Sequence, residues 1–250
     1  MRSKKTMTIK VALCVAIAFS FLAVQSANAL VIELALVLDG SGSISPSDWT
    51  LQVSAYESIF GTDFMDSYVT PGDELYISVY QFNTTVTKEI DMQQITNDAE
   101  AAALGVTIGN LTQGGGQTNT AGAVNVAALE LTGNGIISDK MIIDISTDGV
   151  PYLPPDDTEA DALAAAAAAN LDGVIVNALG VGTGVSEDFL KDFTNAGGGF
   201  YLTADSFTEF EAALSEKLYR EIPSIPDAST VFLLGSACLV GLAGIRRRFG

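Results

Sequence analysis

"LALVLDGSGSIS", residues 34–45, runs an apolar strand into Asp39 and then offers Ser41, Ser43 and Ser45 within six residues. The strand itself starts earlier: "VIELALVL" (31–38) is a near-continuous apolar run, as expected where both faces of a sheet are covered. A tight turn accounts for the glycines. It does not account for a carboxylate and several hydroxyls at the mouth of a buried strand, and the surrounding chain bears on that question.

Downstream, Ser45, Pro46 and Asp48 supply an N-cap, a first-turn proline and an early acid. They predict a helix over "PSDWTLQVSAYESIF" that ends before Gly61. "ELYISVYQF" and "TTVTKEI" flank Asn83 as a hairpin, the one antiparallel piece. Helices follow over "NDAEAAALGVTIGNL" and "TNTAGAVNVAALEL", on either side of the glycine run 114–116. "KMIIDIST" (140–147) reads as a buried strand and "DTEADALAAAAAANL" as a helix on alanine propensity. "VIVNALGVG" and "GFYLTA" read as strands around the helix "SEDFLKDFTNA", and "FTEFEAALSEKLYREI" as a last amphipathic helix capped by Ser206. This alternation implies an α/β fold of three layers, a doubly wound, mainly parallel sheet of six strands with one antiparallel edge strand.

The ends differ from this body. Arg2, Lys4, Lys5 and Lys10 precede the apolar "VALCVAIAFSFLAV", and "ANA" closes at Ala29, which reads as a secretory signal peptide over 1–29 cut after Ala29. "PSIPDAS" forms a short stalk after the body, with residues 223–228 as its core. "STVFLLGSACLVGLAGI" before Arg246, Arg247 and Arg248 reads as a transmembrane helix with a basic cytoplasmic tail, over 229–250. At about 1.5 Å per residue that stretch is just long enough to span a hydrocarbon core. The expected organisation is therefore an exported body, residues 30–222, held at the membrane by its C-terminal helix.

Within that body Lys88, Lys140, Lys191, Lys217 and Arg220 face 29 of the chain's 30 acids (Asp227 is the other), a balance of 5 − 29 = −24. Nucleic acid and anionic lipid are poor partners for such a surface, and cations good ones. Cys14 and Cys238 both lie in the apolar ends, so the body has no disulfide. The chain contains no histidine, which removes Ser-His-Asp and Cys-His catalysis and any histidine metal site.

Ligands of open parallel sheets bind beyond the carboxyl ends of the strands, where the strand order reverses. Three stretches end there: Asp39, Ser41 and Ser43; Thr118 and Thr120 behind "QGGGQ"; and Asp148 behind "MIIDIST". If the first strand and the 140–147 strand are neighbours, Asp39 and Asp148 face each other about 4.8 Å apart. At an effective dielectric near 20 the two charges repel by about 3 kcal/mol. Either one acid is protonated or a cation lies between them. Hydroxyl and carboxylate oxygens are hard donors suited to Mg²⁺ or Mn²⁺.

The pattern D-x-S-x-S (39–43), the threonine of "GGGQTNT" and "STDG" resemble the metal-ion-dependent adhesion site of von Willebrand factor type A domains. The resemblance spans about residues 31–222. It implies that family's six-stranded α/β sandwich, with a metal held by Asp39, Ser41, Ser43, Thr118 and Asp148 and completed by a carboxylate of a protein or other extracellular partner. Ser41 and Ser43 would contact the ion directly, and Asp148 would often act through water. The stalk and tail resemble the C-terminal sorting signals read by exosortase-type transpeptidases, "IPDAS" being closer to their proline–aspartate variants. That implies processing at the C-terminal signal and release to the cell surface; a plain membrane anchor is the other reading.

Several motifs carry less. "GVGTGVSEDF" (180–189) lacks the full dinucleotide spacing, "GGGQTNT" lacks the P-loop lysine, and "GSG" lacks the flanks of a nucleophile elbow. Asp156, Asp157, Glu159 and Asp161 read as first-turn helix acids, and alanines 164–169 as helix filler. The sum is a surface-associated binding module and not an enzyme. The rivals are an envelope scaffold and a metal-assisted hydrolase, the latter lacking a positioned base.

Overall fold

The computed structural model describes residues 29–61 and 63–222. The signal peptide, stalk, sorting motif and transmembrane helix expected above therefore lie outside the described residues, apart from Ala29. Among the described residues no helix is long and apolar enough to cross a membrane.

Six strands form one sheet: β1 (Val31–Asp39), β2 (Glu74–Phe82), β3 (Val86–Ile95), β4 (Lys140–Thr147), β5 (Val174–Val181) and β6 (Gly198–Ala204). Their order is β3-β2-β1-β4-β5-β6, with only β2 and β3 antiparallel. The chain leaves β1 toward β2 on one side and later returns to lay β4 on the other. The reversal of strand order therefore falls between the carboxyl ends of β1 and β4, where a crevice opens.

Among the described residues seven helices flank the sheet, six between strands and the last after β6: α1 (Pro46–Ile59), α2 (Phe64–Tyr68), α3 (Asp98–Gly109), α4 (Thr120–Gly133), α5 (Glu159–Leu171), α6 (Glu187–Ala196) and α7 (Phe210–Glu221). The period-two alternation of β1 assigns the two faces. Leu34, Leu36 and Leu38 pack with Trp49 and Tyr56 of α1, Leu104 of α3 and Leu214 of α7. Ala35 and Val37 pack with Val124 of α4, Ala166 of α5 and Phe193 of α6. Helices on both sides explain why β1 carries almost no polar residue. Truncating a fully buried leucine such as Leu36 to alanine would cost about 2–5 kcal/mol.

Local signals held where they were strongest. Ser45 caps α1 by accepting from the Asp48 amide at 3.2 Å, with Pro46 in the first turn. Elsewhere the tertiary structure corrects the sequence reading. The last helix starts at Phe210 behind Glu209, which makes no side-chain cap, so Ser206 is not its N-cap. Ser206 accepts the Glu209 amide through its carbonyl instead. β3 runs on to Ile95 because pairing with β2 continues past the expected "TTVTKEI". The short α2 is an addition, anchored by the buried Phe64. The alanines of α5 are more than filler: Ala162, Ala165, Ala166 and Ala169 are buried and admit the helix close to its neighbours.

Candidate metal centre

The register of β1 against β4 decides what meets at the crevice. Leu38 pairs with Ser146, so the residue opposite Asp39 is Thr147 and not Asp148. Thr147 Oγ1 donates to Asp39 Oδ2 at 2.7 Å, while the Ser41 amide donates to Asp39 Oδ1 at 2.8 Å. Asp148 joins one step further out, accepting from Ser43 Oγ at 2.7 Å. The Ser41 and Ser43 hydroxyls lie 3.0 Å apart and complete an oxygen chain from Ser41 through Ser43 to Asp148. Asp39 and Ser41 are fully buried, Asp148 is half-buried and Ser43 is exposed, so the cluster opens from the core toward solvent.

Thr118 arrives by a backbone clasp. The Gly42 amide donates to the Gly116 carbonyl, and the Gly115 amide to the Gly40 carbonyl, each at 2.8 Å. Gly115 and Gly116 take positive φ of 68° and 95°, which glycine supplies without steric penalty. Thr118 then exchanges two backbone hydrogen bonds with Tyr152, in the loop after β4, at 3.0 and 2.9 Å. The three predicted stretches thus converge on one place. Asp39, Ser41, Ser43 and Asp148 are linked through hydrogen bonds; the buried Thr118 is tied to the loop after β4 through its main chain, and the glycines before it are tied to the loop after β1.

Burial, more than any other cause, pushes the Asp39 carboxyl up to about 6. Hydrogen bonds from Ser41 and Thr147 pull it down, and the Asp148 charge contributes the least. Asp148 is also raised, again mainly by burial and against its Ser43 hydrogen bond. Asp39 does sense the Asp148 charge, but desolvation outweighs that repulsion, the one on which the sequence argument rests. Among the described residues no lysine or arginine forms an ion pair with either acid.

Sequence reasoning missed the supports. Gln52 Nε2 holds the Asp39 carbonyl at 3.1 Å, and Gln113 Nε2 bridges the Ser41 and Ile44 carbonyls at 3.0 and 2.8 Å. Gln81 holds the start of the glycine loop, donating to the Thr112 carbonyl at 3.0 Å and accepting from the Gly114 amide at 2.6 Å. Asp157, expected in the first turn of its own helix, precedes α5 and instead accepts the Ala121 amide of α4 at 3.0 Å. Asp156 likewise lies before the helix, whereas Glu159 and Asp161 do occupy its first turn. Position before a glycine run was the available signal for Gln113; nothing local marked Asp157.

The donor set suits a small hard cation: two carboxylates and three hydroxyls, with neither nitrogen nor sulfur. Two grooves of about 500 and 530 Å³, one beside Tyr80 and Leu129 and one between Ser58 and Ser215, include no residue of the cluster. The cluster meets solvent at Ser43 and Asp148.

A family model matches residues 29–226, which takes in the entire described body. The chain belongs to the family described as "Protein of unknown function (DUF1194)". No curated protein matches this DUF1194 chain in sequence. Solved structures do share its fold. The proximal thread matrix protein 1 of the mussel byssus, with a zinc-occupied MIDAS motif, is 19% identical at a TM-score of 0.60, over 76% of this chain and 48% of that one. The von Willebrand factor type A structure from Catenulispora acidiphila is 16% identical at 0.60, over 76% and 42%. The manganese-loaded TRAP protein of Plasmodium vivax is 19% identical at 0.52, over 75% and 73%. The DUF1194 chain therefore has the α/β architecture of von Willebrand factor type A domains. It spans about half the length of the first two of these structures and nearly three quarters of the third.

Proposed function

We propose that this DUF1194 protein is an exported, surface-associated binding module whose crevice holds a divalent cation, Mg²⁺ or Mn²⁺, and engages an acidic group of an extracellular partner. The observation that carries the reading is the linked oxygen cluster Asp39, Ser41, Ser43 and Asp148 at the strand-order reversal, with no lysine or arginine among the described residues paired to its acids. The divalent ions named for two structures of the same fold, zinc and manganese, support a cation without choosing among cations.

In this reading Asp39, Ser41, Ser43, Thr118 and Asp148 hold the ion. Thr147 and Gln52 hold Asp39 in place, and Gln81 and Gln113 hold the loops that carry the serines and Thr118. A bound divalent ion would supply positive charge and an open coordination position for a carboxylate. The exposed Ser43 and half-buried Asp148 leave that side of the crevice accessible to a macromolecule. The export signal over 1–29, the membrane helix over 229–250 and processing by an exosortase-type transpeptidase complete the proposal, and place the body at the cell surface. An envelope scaffold remains the second reading; it shares the fold and differs in having no outside ligand.

Titration calorimetry with Mn²⁺ and Mg²⁺ tests the site. Binding by the wild-type protein and its loss in both Asp39→Ala and Asp148→Ala are expected. A wild-type response equal to that of the variants would overturn the proposal.

A further inference from the structure

Export by the proposed route would make Leu30 the first residue of the mature chain, and its nitrogen already sits on a specific acceptor. Leu30 N donates to Asp73 Oδ1 at 2.8 Å, and the Leu30 carbonyl accepts from the Glu74 amide at 2.8 Å. On the other side the Val31 amide donates to Asp139 Oδ2 at 2.9 Å. The start of β1 is thus held between the turn before β2 and the segment before β4.

That turn is built to present Asp73. Its sequence is Thr70-Pro71-Gly72-Asp73, closed by the Asp73 amide on the Thr70 carbonyl at 2.9 Å, with Gly72 at φ 102°. Proline at the second position and a positive-φ glycine at the third are the signature of a type II turn. Ala29 lies against it, since a Cβ on Gly72 would come 3.9 Å from the Ala29 Cβ. The second carboxylate oxygen, Asp73 Oδ2, is buried and has no hydrogen-bond partner among the described residues. An amide nitrogen has one hydrogen and can serve only one of the two oxygens. An ammonium at the same atom has three hydrogens and a full charge.

We propose that removal of the signal peptide between Ala29 and Leu30 creates an ionic lock, in which the new Leu30 α-ammonium pairs with both oxygens of Asp73. The inference rests on the export reading above. The covalent step is hydrolysis by a signal peptidase: water adds across the Ala29–Leu30 amide. Ala29 leaves as a carboxylate, and the freed Leu30 amine takes the proton, being charged below its usual pKa of about 8. The precursor, with a neutral amide at this atom, lacks the pair. Processing and the anchoring of β1, the strand that carries Asp39, are thereby coupled.

The test uses the full-length chain expressed in a host that exports it. Intact-mass analysis of the purified protein gives its first residue, and acetylation at pH 7 followed by peptide mapping gives the reactivity of its α-amine. The expected result is a chain starting at Leu30 whose α-amine reacts about tenfold more slowly than that of the peptide Leu-Val-Ile-Glu, one unit of raised ammonium pKa. Asp73→Asn should abolish the protection. A first residue other than Leu30 overturns the cleavage site. A Leu30 start with peptide-like reactivity, or protection retained in Asp73→Asn, overturns the lock and leaves processing intact. The comparison of wild type with peptide stands even if the variant fails to fold.

Discussion

Lys217 of α7 and Asp144 in the middle of β4 form an ion pair in which both side chains are fully buried. Glu221, one turn along α7, approaches the same ammonium at 2.8 Å. Two acids thus share one cation inside the core. Burial first, and the Asp144 charge second, push the Glu221 carboxyl far above the ordinary carboxylate range. Glu221 is thereby pushed toward its protonated form beside the Lys217–Asp144 ion pair.

Removing the cation should therefore be costly and removing the shared proton should not. Lys217→Met strands Asp144 in the core and is expected to destabilise the fold by about 3–5 kcal/mol in urea unfolding. Glu221→Gln replaces a protonated acid by a near-isostere and should stay within about 1 kcal/mol of wild type at pH 7. Equal losses in the two variants would contradict this assignment of charge.

Asp157 gives the pH dependence. It is 1% exposed, with one oxygen on the Ala121 amide and the other buried without a hydrogen-bond partner among the described residues. Burial is the main cause that raises its carboxyl from 3.8 to about 6. The folded state thus binds this proton more tightly than the unfolded state does. The resulting stabilisation is complete below about pH 4 and is lost as the pH rises through about 6. Asp157→Asn keeps an acceptor for Ala121 and removes the charge. It should gain about 2–3 kcal/mol on wild type at pH 7 and nothing at pH 4. Stability curves that stay parallel from pH 4 to 7 would rule out Asp157 as the source.

How far the sequence carries depends on the range of each interaction. The alternation of Leu34, Ala35, Leu36 and Val37 and the Ser45–Asp48 cap are set within a few residues, and both were legible. That Asp39, Ser41, Ser43 and Asp148 would meet was legible because each stretch carries its polar residues locally, at a strand end. The partner of Asp39 was not, because a one-residue register between β1 and β4 decides that Thr147 stands opposite it. Asp157 was misplaced for a related reason: its neighbours in sequence offered a helix start, and only the folding of the 148–158 loop onto α4 shows the nearer donor. The Ser206 cap failed because the chain continues through a turn before α7 begins.

Gly184, in a loop set aside as a poor dinucleotide motif, backs the candidate site. A Cβ there would lie 2.6 Å from the Asp148 carbonyl oxygen, a backbone atom that has to move. Gly184→Ala should weaken Mn²⁺ binding about tenfold, the scale of outer-shell changes around metal ligands. Gly149→Ala, beside the same acid but with open space around it, should leave affinity unchanged. Unaltered affinity in Gly184→Ala would remove the loop from the account of the site.

The Lys217–Asp144 pair also joins the site to the end of the body. Asp144 lies on the strand that delivers Asp148 four residues later, and Lys217 lies on the helix that leads into the expected stalk. A small shift of β4 on ligation cannot be absorbed locally, because a buried ion pair tolerates little change in separation. Packed elements respond to such shifts by moving as units. Saturating Mn²⁺ is therefore expected to change hydrogen exchange across residues 207–222 about twofold or more, alongside slower exchange at 39–45. Exchange at 207–222 that is identical with and without Mn²⁺, while 39–45 responds, would show a site that binds without signalling to the helix.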